Sequence, residues 1–289
     1  MSEFFKLDNP VAQAPSFGIC RFADDSKFNE LNSSNHFTVV LMLKAEGSLT
    51  TDTSDYLVGH SCVMSFSLYQ QFKINCPDAC EGYLLYFHPD FFCLHQHRAE
   101  VSCNGVLFNN IYESPVTDLQ EDGLSEILAL FQGMFGEMQK NNIDTEVLLS
   151  YLKILLINAS RIKVEQRDSD INMYSKIPSK LAELQSAIEL NFKSMHTAAA
   201  YADLMNYSQS ALNRSCKNYF NKTLSDLISD RIILEAKREL YLSDKPVKAI
   251  AYEIGFKDEF HFSRYFKRNI GISPQYFRNT VGFGKASLA

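Results

Sequence analysis

One stretch near the C-terminus, Val247 to Arg278 (VKAIAYEIGFKDEFHFSRYFKRNIGISPQYFR), leaves this chain little choice of local fold. Val247, Ile250, Ala251 and Ile254 recur at the spacing of a short amphipathic helix, and Gly255 supplies a tight turn after it. A second helix then carries Phe262 and Phe266 inward and Lys257, His261, Arg264, Lys267 and Arg268 outward. Two helices joined by a Gly-containing turn, the second one basic, is the arrangement that places a helix in the DNA major groove.

The same plan occurs earlier. A support helix over Ser179–Ser194 precedes a short helix over Thr197–Met205 and a turn at Asn206 and Tyr207. Ser208 is a natural N-cap for the next helix, Ser208–Tyr219, because its hydroxyl can accept from a free backbone N–H. Leu212 and Cys216 or Tyr219 turn inward there, and Gln209, Ser210, Asn213, Arg214 and Lys217 stay outside. Asn and Arg side chains can pair bidentately with adenine and guanine edges. Thr223 can cap a connector over Leu224–Leu242 whose apolar stripe is Leu224, Leu227, Ile228, Ile232, Ala236 and Leu240. Pro246 opens the second unit where a helix tolerates proline. A rigid connector fixes the spacing of two reading helices. One turn of B-DNA, about 34 Å, would let both enter successive major grooves on one face.

Charge agrees once it is divided. The chain carries a net −6 over 289 residues, but from residue 176 onward 17 Lys and Arg stand against 11 Asp and Glu. Residues 1–175 hold 11 against 23, so the acidic half is repelled by phosphate and is not expected on DNA. The N-terminus lacks the basic-then-apolar pattern of a signal peptide, and no apolar run approaches the roughly 20 residues of a membrane helix. Seven cysteines, odd in number and irregularly spaced, fit a reducing cytosol rather than a disulfide framework. A cytoplasmic protein without membrane attachment is expected.

From about Phe17 to residue 110 the chain reads as short strands, clearest at His36–Leu43, Cys62–Leu68 and Gly82–Phe87, separated by turn-rich stretches. Strands at this spacing suggest a barrel or sandwich. Two helices follow within 118–163, Asp118–Lys140 and Asp144–Lys163, with apolar stripes wider than one partner surface needs. Packing against the strands or a homodimer interface would each account for that width. Residues 164–178, polar and ending at Pro178, read as a linker. The expected architecture is therefore two-domain α+β. An N-terminal domain of strands and two helices (1–163) precedes a C-terminal all-α domain (179–289) of two helix-turn-helix units and a connector.

The segment Ile250–Arg278 resembles the signature of the AraC/XylS family of bacterial transcription regulators. The resemblance is carried by Ile250, Ala251, Gly255, Phe256, Asp258, Phe262, Arg264, Phe266, Lys267, Gly271, Ser273, Pro274, Tyr276 or Phe277, and Arg278. Ala202, Ser208, Leu212, Arg214, Lys217, Arg231 and Ala236 resemble the family's less constrained half. Cys216 departs from it where an aromatic is usual, and Asn221 where glycine is usual; Asn best tolerates the left-handed backbone a glycine position demands. Glu259, Phe260 and His261 also depart from the small and aromatic residues often found there.

The resemblance implies double-stranded DNA as partner, with base contacts from Ser210, Asn213 and Arg214 in the first unit and Glu259, His261, Ser263 and Arg264 in the second. A carboxylate such as Glu259 is repelled by phosphate unless it accepts from a cytosine amino group. Gln209, Lys217, Lys257, Lys267 and Arg268 are expected on phosphates. The resemblance further implies a cupin-like N-terminal β-barrel binding a small-molecule effector, dimerisation through the two helices, and contact with RNA polymerase. Phe37, Phe66, Tyr69, Phe72 and Tyr86 could line an apolar effector pocket or simply form core.

No enzyme activity, metal or cofactor is expected, although His95 and His97 followed by Glu100 partly resemble a cupin metal motif. Two alternatives stand beside the effector-responsive regulator. One is a metal-dependent cupin enzyme fused to a DNA-binding tail; the other is a regulator that acts without ligand.

Overall fold

The structure, a computed structural model, describes all residues except 1–3, 10–13, 45, 53, 60, 78–79, 95–96, 98–104, 174–177 and 282–289. The chain divides into two compact units, Met1–Asn110 with Ser114–Asp168, and Ile111–Glu113 with Ser169–Ala289.

The first unit contains β1 (Phe4–Asn9), β2 (Ala14–Phe22), β3 (Phe37–Lys44), β4 (Gly47–Thr51), β5 (Asp55–Val58), β6 (Cys62–Phe66), β7 (Phe72–Asn75), β8 (Glu81–Phe87) and β9 (Val116–Asp118). They form two sheets of antiparallel neighbours, in the orders β1-β2-β8-β3-β6-β9 and β5-β4-β7. β3 and β6 are apolar and buried on both faces, as strands in the middle of a covered sheet must be. β7 alternates buried Phe72 and Ile74 with exposed Lys73 and Asn75, the pattern of a strand with one wet face. One core cluster draws on both sheets: Val40, Met42, Met64 and Phe66 from the larger, Leu49, Val58, Phe72 and Ile74 from the smaller. The expected barrel is thus resolved into two sheets. Among the described residues their ladders end at β1, β9, β5 and β7 rather than closing on one another.

Two helices complete this unit, α1 (Glu121–Met138) and α2 (Thr145–Met173). Ile127, Phe131, Met134 and Met138 of α1 are buried, as are Leu148, Leu152, Leu155, Leu156 and Ala159 of α2. Each of these side chains larger than Ala159 contributes roughly 1.5–3 kcal/mol when fully buried, so most of both stripes lies inside the unit. α2 outruns its expected end at Lys163 and continues through residues expected to be linker. The physical reason is that Val164–Met173 contains no Gly or Pro, and polarity alone does not stop a helix.

The second unit is helical: α3 (Ser179–Asn191), α4 (Ala198–Leu204), α5 (Gln209–Phe220), α6 (Leu224–Leu242), α7 (Val247–Glu253), α8 (Glu259–Ile270) and α9 (Pro274–Val281). The connector α6 touches every other helix of the unit and buries Leu224, Leu227, Ile228, Ile232, Ala236 and Leu240, the stripe read from sequence. Ile111–Glu113 belongs to this unit through side chains. The Tyr112 hydroxyl donates to Glu189 Oε1 at 3.0 Å, and Lys222 Nζ donates to the Ile111 carbonyl at 2.9 Å while pairing with Asp230 at 2.7 Å.

Candidate nucleic-acid interface

Each helix-turn-helix is set by its turn and its caps. In the first, Asn206 takes the left-handed backbone (φ 55°) after α4, and Ser208 Oγ accepts from the Ala211 N–H at 3.3 Å to start α5. Asn221 ends α5, also at φ 55°, as expected for an Asn in a glycine's place. In the second, Gly255 turns at φ 95° and Asp258 starts α8 by accepting from Phe260 N at 3.2 Å and His261 N at 2.9 Å. Gly271 ends α8 at φ 83°. Thr223 and Asp226 form a reciprocal capping box at the start of α6.

α5 buries Leu212, Cys216 and Phe220, so Cys216 rather than Tyr219 takes the inward place. It exposes Gln209, Ser210, Arg214 and Lys217. α8 buries Phe262, Phe266 and Ile270 and exposes His261, Arg264, Lys267 and Arg268. Glu259 and Ser263 are half-buried, and Lys257 is exposed in the turn. Asn213 is half-buried because its Oδ1 accepts from the Leu224 N–H at 3.0 Å. This side chain therefore caps the connector, which its outward register in the sequence did not reveal.

Two groups stand out among the cations of the unit. Lys193, Lys222, Arg231, Arg238 and Lys245 all pair with carboxylates around α6, with the buried Glu235 shared by three of them. Among the described residues, Arg214, Lys217, Lys257, Arg264 and Lys267 have no carboxylate within 4 Å, and Arg268 is held only over the Tyr265 ring at 5.4 Å. Arg264 could instead have served an internal salt bridge, but among the described residues it makes none. Arg278 of the signature, by contrast, donates to the Leu240 and Lys245 carbonyls and anchors α9. Unpaired exposed cations on the two helices that follow the turns are what a polyanion would meet.

Residues 201–280 match the helix-turn-helix domain family. The chain is 33% identical over 97 residues to the raffinose operon transcriptional regulatory protein RafR of Pediococcus pentosaceus, covering 34% of this chain and 35% of that protein. It is 25% identical over 146 residues to the HTH-type transcriptional activator RhaS of Enterobacter sp. (strain 638), covering 49% and 50%. The chain thus spans about a third to a half of the length of the curated relatives it matches. The C-terminal unit thus carries a helix-turn-helix domain similar to those of transcription regulators. A solved structure of ToxT from Vibrio cholerae aligns over 98% of this chain and 99% of that one, at 13% identity and a TM-score of 0.40.

Sequence alone marks Phe260 as a departure from the family pattern but not as an exposed side chain. Phe260, at the second position of α8, is 74% exposed beside Glu259 and His261. With Phe262 and Phe266 fixed inward, a residue two positions before Phe262 must point away from the core, so the helical period could have found it. An exposed ring there can meet a thymine methyl.

The five aromatics proposed for an effector pocket are not brought together. Phe66 stacks on Phe72 (centroids 3.8 Å apart) inside the inter-sheet core. Phe37 packs on Phe87 and Phe108 from the opposite face of β3, since Phe66 lies across from Thr38 in the ladder. Tyr86 meets Phe4 and His36, and Tyr69 is buried at a left-handed turn (φ 55°).

Of the histidine motif, His95 and Glu100 lie outside the described residues, and His97 stacks on Phe92 at 4.6 Å. Cys76 and Cys80 are buried free thiols, and burial pushes Cys80 up to about 12. No helix among the described residues is long and apolar enough to cross a membrane.

Proposed function

We propose that this chain is a sequence-specific DNA-binding transcription regulator whose helices α5 and α8 each read a major groove. The observation that carries this reading is the division of cations: those around α6 are paired off, and those on α5, α8 and the turn before α8 are left open. Arg214, Glu259, His261, Ser263, Arg264 and Ser210 are the base readers, with the Asn213 amide restricted by its cap. Gln209, Lys217, Lys257, Lys267 and Arg268 hold phosphates. Random-sequence selection with the full chain should enrich a bipartite site whose halves lie about one helical turn, roughly 10 base pairs, apart. Enrichment of no motif would overturn the proposal.

We infer further that the N-terminal unit serves regulation by a small-molecule effector rather than DNA contact. Its acid excess and its separate compactness support this. Dimerisation through α1 and α2 rests on less, because their stripes are largely buried within the unit; among the described residues of the two helices Ile154, 46% exposed, is the large apolar side chain most open. RNA polymerase is the partner an activator of this kind would need. Native mass spectrometry of the purified chain tests effector and dimer together. A ligand-free monomer that still regulates would favour the constitutive alternative, and stoichiometric metal bound through His95 and His97 would favour the enzyme.

A further inference from the structure

The contacts around Gly255 form a second link between the two helix-turn-helix units, besides the connector α6. The corner between α3 and α4, residues Lys193–Thr197, lies against the end of α7. A side chain at Gly255 would start 1.7 Å from the Lys193 carbonyl oxygen, so the two backbones touch there. His196 closes the contact: its Nε2 lies 3.0 Å from the carbonyl oxygen of Ile254, the C-cap residue of α7. A carbonyl only accepts, so the ring carries its proton on Nε2 and donates. That carbonyl belongs to the last turn of α7, which has no partner within its own helix. The ring also packs on Phe256 at 4.8 Å. Phe256 in turn meets His261, Phe262 and Tyr265 of α8 at 5.2–5.4 Å. An unbroken chain of contacts therefore runs from the corner between α3 and α4 through His196 and Phe256 to the second reading helix.

We propose that His196 is a positioning residue that fixes the angle of α8 relative to the first helix-turn-helix, and thereby the half-site spacing the protein accepts. The proposal rests on the DNA-reading function above. α6 alone fixes the distance between the units; a second strut at the Gly255 turn is what removes rotation about it. His196 contacts no nucleic acid in this role and acts through Ile254 and Phe256.

The test uses the full chain and the bipartite site obtained by selection, offered at native spacing, with one base pair inserted between the halves, and as the first half alone. One inserted pair moves the second half by about 3.4 Å and a tenth of a turn. Wild type should prefer native spacing over the inserted site by on the order of tenfold, the cost of about one mismatched pair. His196→Leu keeps apolar volume against Phe256 but cannot donate; it should cut that preference to about threefold or less with unchanged affinity for the first half alone. His196→Gln, which can donate again, should restore most of it.

A readout without DNA accompanies this. Amide hydrogen exchange across residues 250–258 should quicken in His196→Leu, recover in His196→Gln, and stay constant in α5 for both. An unchanged spacing preference in a folded His196→Leu overturns the proposal, and so does an equal loss on all three DNAs that Gln does not rescue. Absence of any sequence preference in wild type overturns the DNA-reading function and the spacing role together. Unchanged exchange in both variants overturns the clamp whatever the DNA does.

Discussion

The two helix-turn-helix units have one plan and hold it by different means. The second turns at Gly255, starts α8 with a carboxylate that accepts two N–H groups, ends it at Gly271, and seats it on Phe256, Phe262, Phe266 and Phe277. The first turns at Asn206, starts α5 with a single long hydroxyl contact, ends it at Asn221, and seats it on Leu212, Cys216 and Phe220. Glycines and aromatics announce themselves in a sequence; Asn and Ser in the same places do not. The better-spelled unit is thus the one whose core is more stereotyped, and spelling says little about which bases are read.

The turns should separate the units most. Gly255→Ala would combine a left-handed backbone with a Cβ against the Lys193 carbonyl, whereas Asn206 already bears a side chain at φ 55°. We expect Gly255→Ala to lose about 3 kcal/mol or more of stability by urea denaturation, and Asn206→Gly to change it by no more than about 0.5 kcal/mol. Equal losses would mean that the Lys193 contact is not a fixed feature of the domain.

The reading faces come next. Arg214→Ala should cost on the order of 1–3 kcal/mol of binding and relax preference at one base pair, with stability intact. Lys217→Ala should weaken all sequences alike and lower the salt slope by about one unit. Asn213→Ala is expected to behave differently from both, losing about 1 kcal/mol of stability through the Leu224 cap. Paired titrations and melts on the three variants check this. An Arg214→Ala loss identical across sequences would remove it from the base readers.

Most of the second unit's fold could be read before any coordinates, because Phe262, Phe266 and Gly255 answer to period and backbone sterics alone. The connector stripe was equally plain. What stayed hidden depends on contacts distant in sequence. Asn213 turns from an outward reader into a cap only when the start of α6 comes to rest beside it. His196 gains a partner 58 residues away, which no spacing announces. Phe260 was legible by period yet easily absorbed into an aromatic-rich signature. In the N-terminal unit, strand runs showed clearly, but which face of β3 each aromatic takes depends on register, and that separated Phe37 from Phe66.

Caps should distinguish the units less than turns do. Asp258→Ala removes an acceptor of two N–H groups at 3.2 and 2.9 Å, and Ser208→Ala one at 3.3 Å. We expect about 1–2 kcal/mol for the first and about 0.5 kcal/mol for the second, read from melting of the full chain. The reverse order would show that cap geometry is not what pins α8.

The smallest effect is one of pH, and it falls on the strut between the units. Burial lowers the His196 pKa from the ordinary 6.5; the Ile254 and Phe192 backbone contacts oppose this, and His261 on α8 reinforces it. Lys193, beside it on the same corner, directs its ammonium to Glu235. A histidine whose folded pKa is depressed binds fewer protons folded than unfolded, so its contribution to stability is full above 6.5. That contribution falls as pH drops from 6.5 to the lower folded value, below which no more is lost. Carboxylates titrating lower in the same range act on both proteins, so the measurement is a difference. Wild type minus His196→Leu stability, followed by urea denaturation from pH 8 to pH 5, should decline on acidification, while a His261→Gln background should shrink the decline. A flat difference would place the ring in solvent-like surroundings and remove the electrostatic part of the strut, leaving its hydrogen bond to be judged by spacing preference alone.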